Sequence, residues 1–135
     1  MKNFIYYKEN AEYPKDKYFR PDKIYPEYLF AELGISEEKN DVYDMVRDMF
    51  ISLSLDAKHI GSRQWNPLGD YVTPGDIVLI KPNWVKHKNE AVVGKKGLDC
   101  LITNTSIVKC IIDYVLIALK GQGKIIVADA PVQTC

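Results

Sequence analysis

The chain has 135 residues, 18 Lys+Arg against 18 Asp+Glu and 47% hydrophobic residues. That composition suits a single globular domain, which at this size buries roughly two thirds of its unfolded surface without help from disulfide or metal. The balanced charge excludes a broad nucleic-acid footprint, since no surplus of cations exists to displace counterions from a phosphate backbone, and no apolar run is long enough for a membrane span.

Residues 1–30 hold nine of the fifteen aromatics: Phe4, Tyr6, Tyr7, Tyr13, Tyr18, Phe19, Tyr25, Tyr28 and Phe30. Pro14, Pro21 and Pro26 recur among them, each removing a backbone donor and biasing its predecessor toward extended conformations. The expectation is an extended aromatic strap that wraps the body and anchors by its rings, the alternative being that the rings form a partner or substrate surface. The first ten residues lack the basic-then-apolar pattern of a secretion signal, so the expected location is cytoplasmic.

Ser36, followed by Glu37, Glu38 and Asp41, looks like a helix start with a hydroxyl cap and acidic first turns. Val42, Met45, Val46, Met49, Phe50 and Leu53 then form one apolar stripe. Asp44, Arg47, Asp48 and Ser52 fall off it onto a face expected to be solvated. An amphipathic helix over residues 36–60 is therefore expected, stopped by Gly61.

Asn66-Pro67, Gly69-Asp70 and Thr73-Pro74-Gly75-Asp76 mark a turn-rich connector. Ile77 to Ile80 is an uninterrupted apolar run closed by Lys81-Pro82-Asn83, which reads as a strand covered on both faces. A polar loop from Trp84 to Gly97 follows, containing Lys86, His87, Lys88, Lys95 and Lys96. Three capping side chains, Asn104, Thr105 and Ser106, then open a helix running to about Lys120 that is apolar nearly all round. Gly121-Gln122-Gly123 stops it, and Lys124 to Asp129 forms a second strand. Residues 76–131 thus make a strand-loop-helix-strand crossover. The expected fold class is α/β, an open, mostly parallel sheet with helices on its faces, an incomplete Rossmann-like three-layer arrangement.

Ligands in such sheets bind beyond the carboxyl ends of the strands. Three segments reach that rim: Lys81 to Asn83, Asn104 to Ser106, and Asp129 to Pro131. Free donors at the helix start, two hydroxyls, an amide and the lysine-rich loop favour an anionic small molecule, phosphate or carboxylate. The candidate ligand-binding residues are Lys81, Asn83, Asn104, Thr105, Ser106 and Asp129. Lys81 is the charge partner and Asp129 a hydroxyl acceptor, general base or metal ligand, and these two are also the candidate catalytic groups. Cys100, Cys110 and Cys135 match no zinc, haem or iron–sulfur spacing, so no metal and no cofactor is expected, and the cysteines read as reduced thiols. Gly121-Gln122-Gly123 leads into a strand rather than opening a helix and is not a dinucleotide fingerprint.

With Val78-Leu79-Ile80-Lys81-Pro82-Asn83 and Leu101 to Val108 in place, the chain resembles the family catalogued as domain of unknown function 362. Members typically show a strand ending Lys-Pro-Asn, then Thr-His-Pro before a helix, then a glycine turn and a strand ending in Asp, a small residue and Pro. Lys81, Pro82, Asn83, Thr103, Gly123, Asp129, Ala130 and Pro131 match that pattern, and Asn104 and Thr105 stand where the family carries His-Pro. The resemblance, over roughly residues 73–131, implies an α/β fold and a chain corresponding to the amino-terminal part of a longer domain. In some relatives it also implies an associated iron–sulfur module, for which this chain carries no ligand motif. Two functions follow as expectations. One is binding of an anionic small molecule at the rim, with the reaction, if any, left open. The other is a non-catalytic assembly subunit, a homo-oligomer or a partner to another chain that covers a sheet edge.

Overall fold

A computed structural model of the chain describes residues 5–86 and 101–130. It is a small α/β fold of two helices and a two-stranded parallel sheet. Helix α1 spans Asp41–Ser52, strand β1 Ile77–Ile80, helix α2 Thr105–Leu119 and strand β2 Lys124–Val127. Single 3₁₀ turns lie at Ala31–Leu33 and Ala57–His59. Residues 5–30 form neither helix nor strand, as the recurrent prolines dictate.

Helix α1 is shorter at both ends than the 36–60 expected. Ser36 does not cap it: its hydroxyl donates to Glu38 O and accepts from Glu38 N–H, closing a local turn ahead of the helix. The cap is Asn40, whose Oδ1 accepts from Tyr43 N–H at 3.0 Å. Its Nδ2 donates to the carbonyls of Phe19 and Arg20, so one buried amide starts the helix and ties the strap to it. At the other end Ser54 N–H bonds Ile51 O and Leu55 N–H bonds Phe50 O. Ser54 sits in the left-handed region at φ 57°. That double bond pattern is a Schellman stop, with serine in the place glycine usually takes.

The polar face of α1 is not solvated as expected. It receives the strap. Tyr25 O–H donates to Asp44, Lys23 pairs with the other Asp44 oxygen at 2.8 Å, and Tyr6 O–H donates to Asp48. Arg47 bonds the buried Glu27 at 2.8 Å while lying over the rings of Tyr25 and Trp65.

Helix α2 begins within a residue of its expected start, because Asn104 Oδ1 accepts from both the N–H and the hydroxyl of Ser106. The core lies between α1 and α2 and is aromatic. Tyr114 of α2 sits at its centre, edge-on to Phe50 at 5.1 Å and to Trp65 at 5.7 Å and tilted against Tyr43 at 6.2 Å. Trp65 is fully buried and donates its indole N–H to Leu55 O. Tyr25 and Tyr28 of the strap pack on Tyr43.

The two strands run parallel with Ile77 opposite Lys124 and Ile80 opposite Val127. Their amino ends approach closely enough that a Cβ on Gly123, at φ 120°, would lie 2.4 Å from Asp76 O. Only glycine fits there. Reading the unbroken apolar runs as strands covered on both faces is corrected: exposure alternates along both strands, and Ile77 and Leu79 are 70% and 63% exposed. Among the described residues, one face of the sheet has no cover.

Candidate functional site

The rim residues follow from the strand ends. Pro82 ends β1, having no N–H to continue the ladder, and β2 gives way two residues before Asp129. Lys81 reaches across to Asp129, Nζ to Oδ1 2.6 Å, and the second carboxylate oxygen accepts the backbone N–H of Trp84 at 2.5 Å. The Lys81 ammonium and the Trp84 amide hold the Asp129 carboxyl below its usual range. Asp129 is therefore an ionised acceptor at neutral pH.

Asn83 turns the other way. Its backbone N–H donates to Thr103 Oγ1, its carbonyl accepts from Thr103 N–H, and its side-chain amide donates to Leu101 O. Trp84 adds an indole bond to Thr103 O at 3.0 Å. These four bonds fasten the exit of β1 to the lead-in of α2. At the helix start itself, Ser106 is buried with its N–H and hydroxyl both given to Asn104, whereas Thr105 is exposed.

The six expected site residues thus lie along one stretch of rim as three separate contacts: Lys81 with Asp129, Asn83 with 101–103, and Asn104 with Ser106. The protein's own acceptors occupy the Lys81 ammonium and the first helix donors. Among the described residues, four cavities of about 330 to 550 Å³ are lined by none of the six. His87, Lys88, Lys95 and Lys96 lie outside the described residues, as do Cys100, Pro131 and Cys135. Cys110 is buried as a free thiol beside Tyr114, and no group of three or more metal-ligating side chains exists among the described residues. Among them, too, no helix is long and apolar enough to cross a membrane.

Two features of this region escaped the sequence reading. Trp84 and Thr103 supply the fastening bonds of the rim; the sequence signal for Trp84 is its adjacency to Asn83, and Thr103 stands out only as a match to a motif, with no bonding role attached. The second is the bare sheet face. Side chains alternate across a strand, so Ile77 and Leu79 share that face with Ile126, which is 37% exposed. Unbroken apolar runs carry no alternation from which a bare face could be read.

No family model matches the chain, and no curated protein and no solved structure is similar to it.

Proposed function

We propose that this chain is an assembly module, whose parallel sheet is completed at its edges and covered on its open face by another polypeptide. The observation that carries the reading is the exposure of Ile77 and Leu79 on a parallel strand pair. Parallel sheets occur with both faces covered, and a two-stranded sheet alone is marginal in water. Three large aliphatic side chains set side by side on such a pair form the kind of contiguous apolar patch that marks an interaction surface. In the assembled state the second face gains its layer, giving the three-layer, Rossmann-like arrangement that the strand-helix-strand order implies.

Anion binding at the rim draws its support from the motif residues that resemble the family pattern. Against it stand the Lys81–Asp129 ion pair and the Asn104 cap, which use the charge and the helix donors that an anion needs. In the assembly reading these groups act as latches that hold the sheet end and the helix start in register.

The Ile77→Lys/Leu79→Lys double variant tests the proposal. A free docking face tolerates both lysines: melting should stay within about 3 °C of the parent, as for ordinary surface substitutions. Binding of an apolar dye and concentration-dependent association in light scattering should fall away. A collapse of stability would mean that residues of this same chain cover the face, and the proposal fails. Inorganic phosphate should leave the melting temperature of the parent unchanged; stabilisation that disappears in Lys81→Ala would favour the anion site instead.

A further inference from the structure

We propose that the cavity between the strap and α1 is a binding site for a small aromatic amine, its rings seated on α1 and its ammonium held by Glu12. None of its lining comes from the sheet, so it stands separately from the assembly reading. Its floor is one stripe of α1: Val42, Met45, Val46 and Met49 repeat at helical spacing and share a side. Tyr6 and Tyr13 of the strap line it as well, and Ile107 in the first turn of α2 completes the apolar part. The volume is about 400 Å³. Small-molecule sites are concave, mostly apolar and of roughly this size, with a few placed polar groups. An apolar cavity of about 150 Å³ accepts a single benzene ring, so this one has room for two fused rings. Both methionines are half-buried, and their unbranched thioethers adapt to aromatic faces. The strap crosses the cavity on polar fastenings rather than on packing. Tyr6 O–H donates to Asp48 at 3.0 Å, Lys8 pairs with Asp41 at 2.5 Å and Glu12 N–H reaches the same carboxylate at 3.3 Å, while Ile5 and Tyr7, which alternate with the fastened residues, are 88% and 79% exposed. A segment that buries so little opens locally at low cost, which gives a ligand its way in.

The charges select the ligand. Among the described residues, Glu12 is the one charged group lining the cavity, and its carboxylate has no hydrogen-bond or ion-pair partner. Lys8 and Lys39 are both given to Asp41, and Lys15, which shares an adjoining cavity with Glu12, makes no pair with it. A carboxylate or phosphate on the ligand would therefore meet like charge with no cation in the lining to answer it. An ammonium meets Glu12 and the faces of two tyrosines, and such faces attract a cation that comes within about 6 Å of the ring centroid. A neutral compound of the same shape fills the floor and leaves Glu12 unanswered.

The test titrates the intact chain with three compounds that share a naphthyl body, naphthylmethylamine, naphthylmethanol and naphthoate, and reads the methyl NMR signals of Met45 and Met49. The amine is expected to shift both methyls and to bind at least about five-fold tighter than the alcohol, with the acid weakest. Glu12→Gln should weaken the amine at least about three-fold and leave the alcohol unchanged. Ala11→Trp builds an indole into the cavity from an exposed strap position and should block binding at an unchanged melting temperature. If that variant melts early, the Glu12→Gln comparison decides alone. An acid that binds as tightly as the amine, or a Glu12→Gln effect equal on amine and alcohol, overturns the inference. So does amine binding that survives Ala11→Trp in the folded protein, and so does a failure of all three compounds to bind at millimolar concentration. Shifts confined to Ile77 and Leu79 would place the compounds on the sheet face, overturning the cavity site while leaving assembly through the sheet intact.

Discussion

Asp113 lies on α2 with 2% of its surface exposed, holding Lys109 Nζ at 2.5 and 2.6 Å and accepting from Tyr43 O–H at 3.2 Å. Burial pushes its carboxyl above the usual range, and the lysine and the tyrosine pull it back. Cutting the lysine to an apolar stem leaves an uncompensated buried charge, so Lys109→Met is expected to cost about 2–3 kcal/mol at pH 7. The sign of the pH dependence follows from linkage. A carboxyl whose folded pKa is raised binds its proton more tightly when folded, so its contribution is greatest below its unfolded pKa of about 3.9 and is lost as pH rises through the folded value. Removing Lys109 raises the folded value further. The Lys109→Met penalty should therefore shrink as pH falls from 7 toward about 4.5. Urea unfolding of both proteins at several pH values checks this, and a penalty independent of pH would show that Lys109 acts through its ammonium over the Phe30 ring rather than through the Asp113 carboxylate. None of this coupling can be read from the sequence. Lys109 and Asp113 are visible as an i,i+4 pair, but Tyr43 lies seventy positions away.

At the scale of elements, the stop of α1 depends on one residue in an unfavourable conformation. A non-glycine residue in the left-handed region costs roughly 1–2 kcal/mol, against the 0.5–1 kcal/mol of extra chain entropy that glycine loses on folding. Ser54→Gly is thus expected to stabilise the protein by about 0.5–1 kcal/mol with the Schellman bonds retained, measured as a raised denaturant midpoint at unchanged slope. A loss of stability would mean that the Ser54 side chain holds the loop in a way the backbone bonds do not explain. This residue also accounts for the misplaced helix end. Sequence reasoning looks for glycine at a helix stop, finds Gly61, and overruns by two turns. The start was misread for a related reason: Ser36 and Asn40 are equally good caps by type, and what decides between them is the bond from Asn40 to the strap carbonyls of Phe19 and Arg20, a contact twenty residues distant. Helix α2 was legible because its cap, apolar run and glycine turn are all local. The strands were legible as apolar runs bounded by turns, and their parallel pairing follows from the helix between them. The rim residues were legible as a set, but not the bonds that bind them to one another, since those depend on how Trp84 and Thr103 meet across the gap between β1 and α2.

For the molecule as a whole, the core and the sheet are set apart. Strap, α1, the Trp65 connector and the inner face of α2 share one aromatic cluster, whereas each strand has four residues and, among the described residues, pairs only with the other. Burial is the dominant favourable term in folding, so an element that buries little opens at a lower free energy than the global transition. Amide exchange should expose that gradient. The amides of Val46, Tyr114 and Val115 sit in buried turns of α1 and α2 and are expected to exchange only through global unfolding. Those of Lys124 and Ala128, bonded to Asp76 O and Ile80 O across the strand pair, should open about 2 kcal/mol or more below it. Binding to the open face adds burial to the strands alone, so an occupant should slow exchange at Lys124 and Ala128 first and leave the helix amides unchanged until global stability itself rises. Equal opening free energies for strand and helix amides in the free chain would mean that the sheet is already part of the core, and an exposed face would then have no energetic reason to recruit a partner.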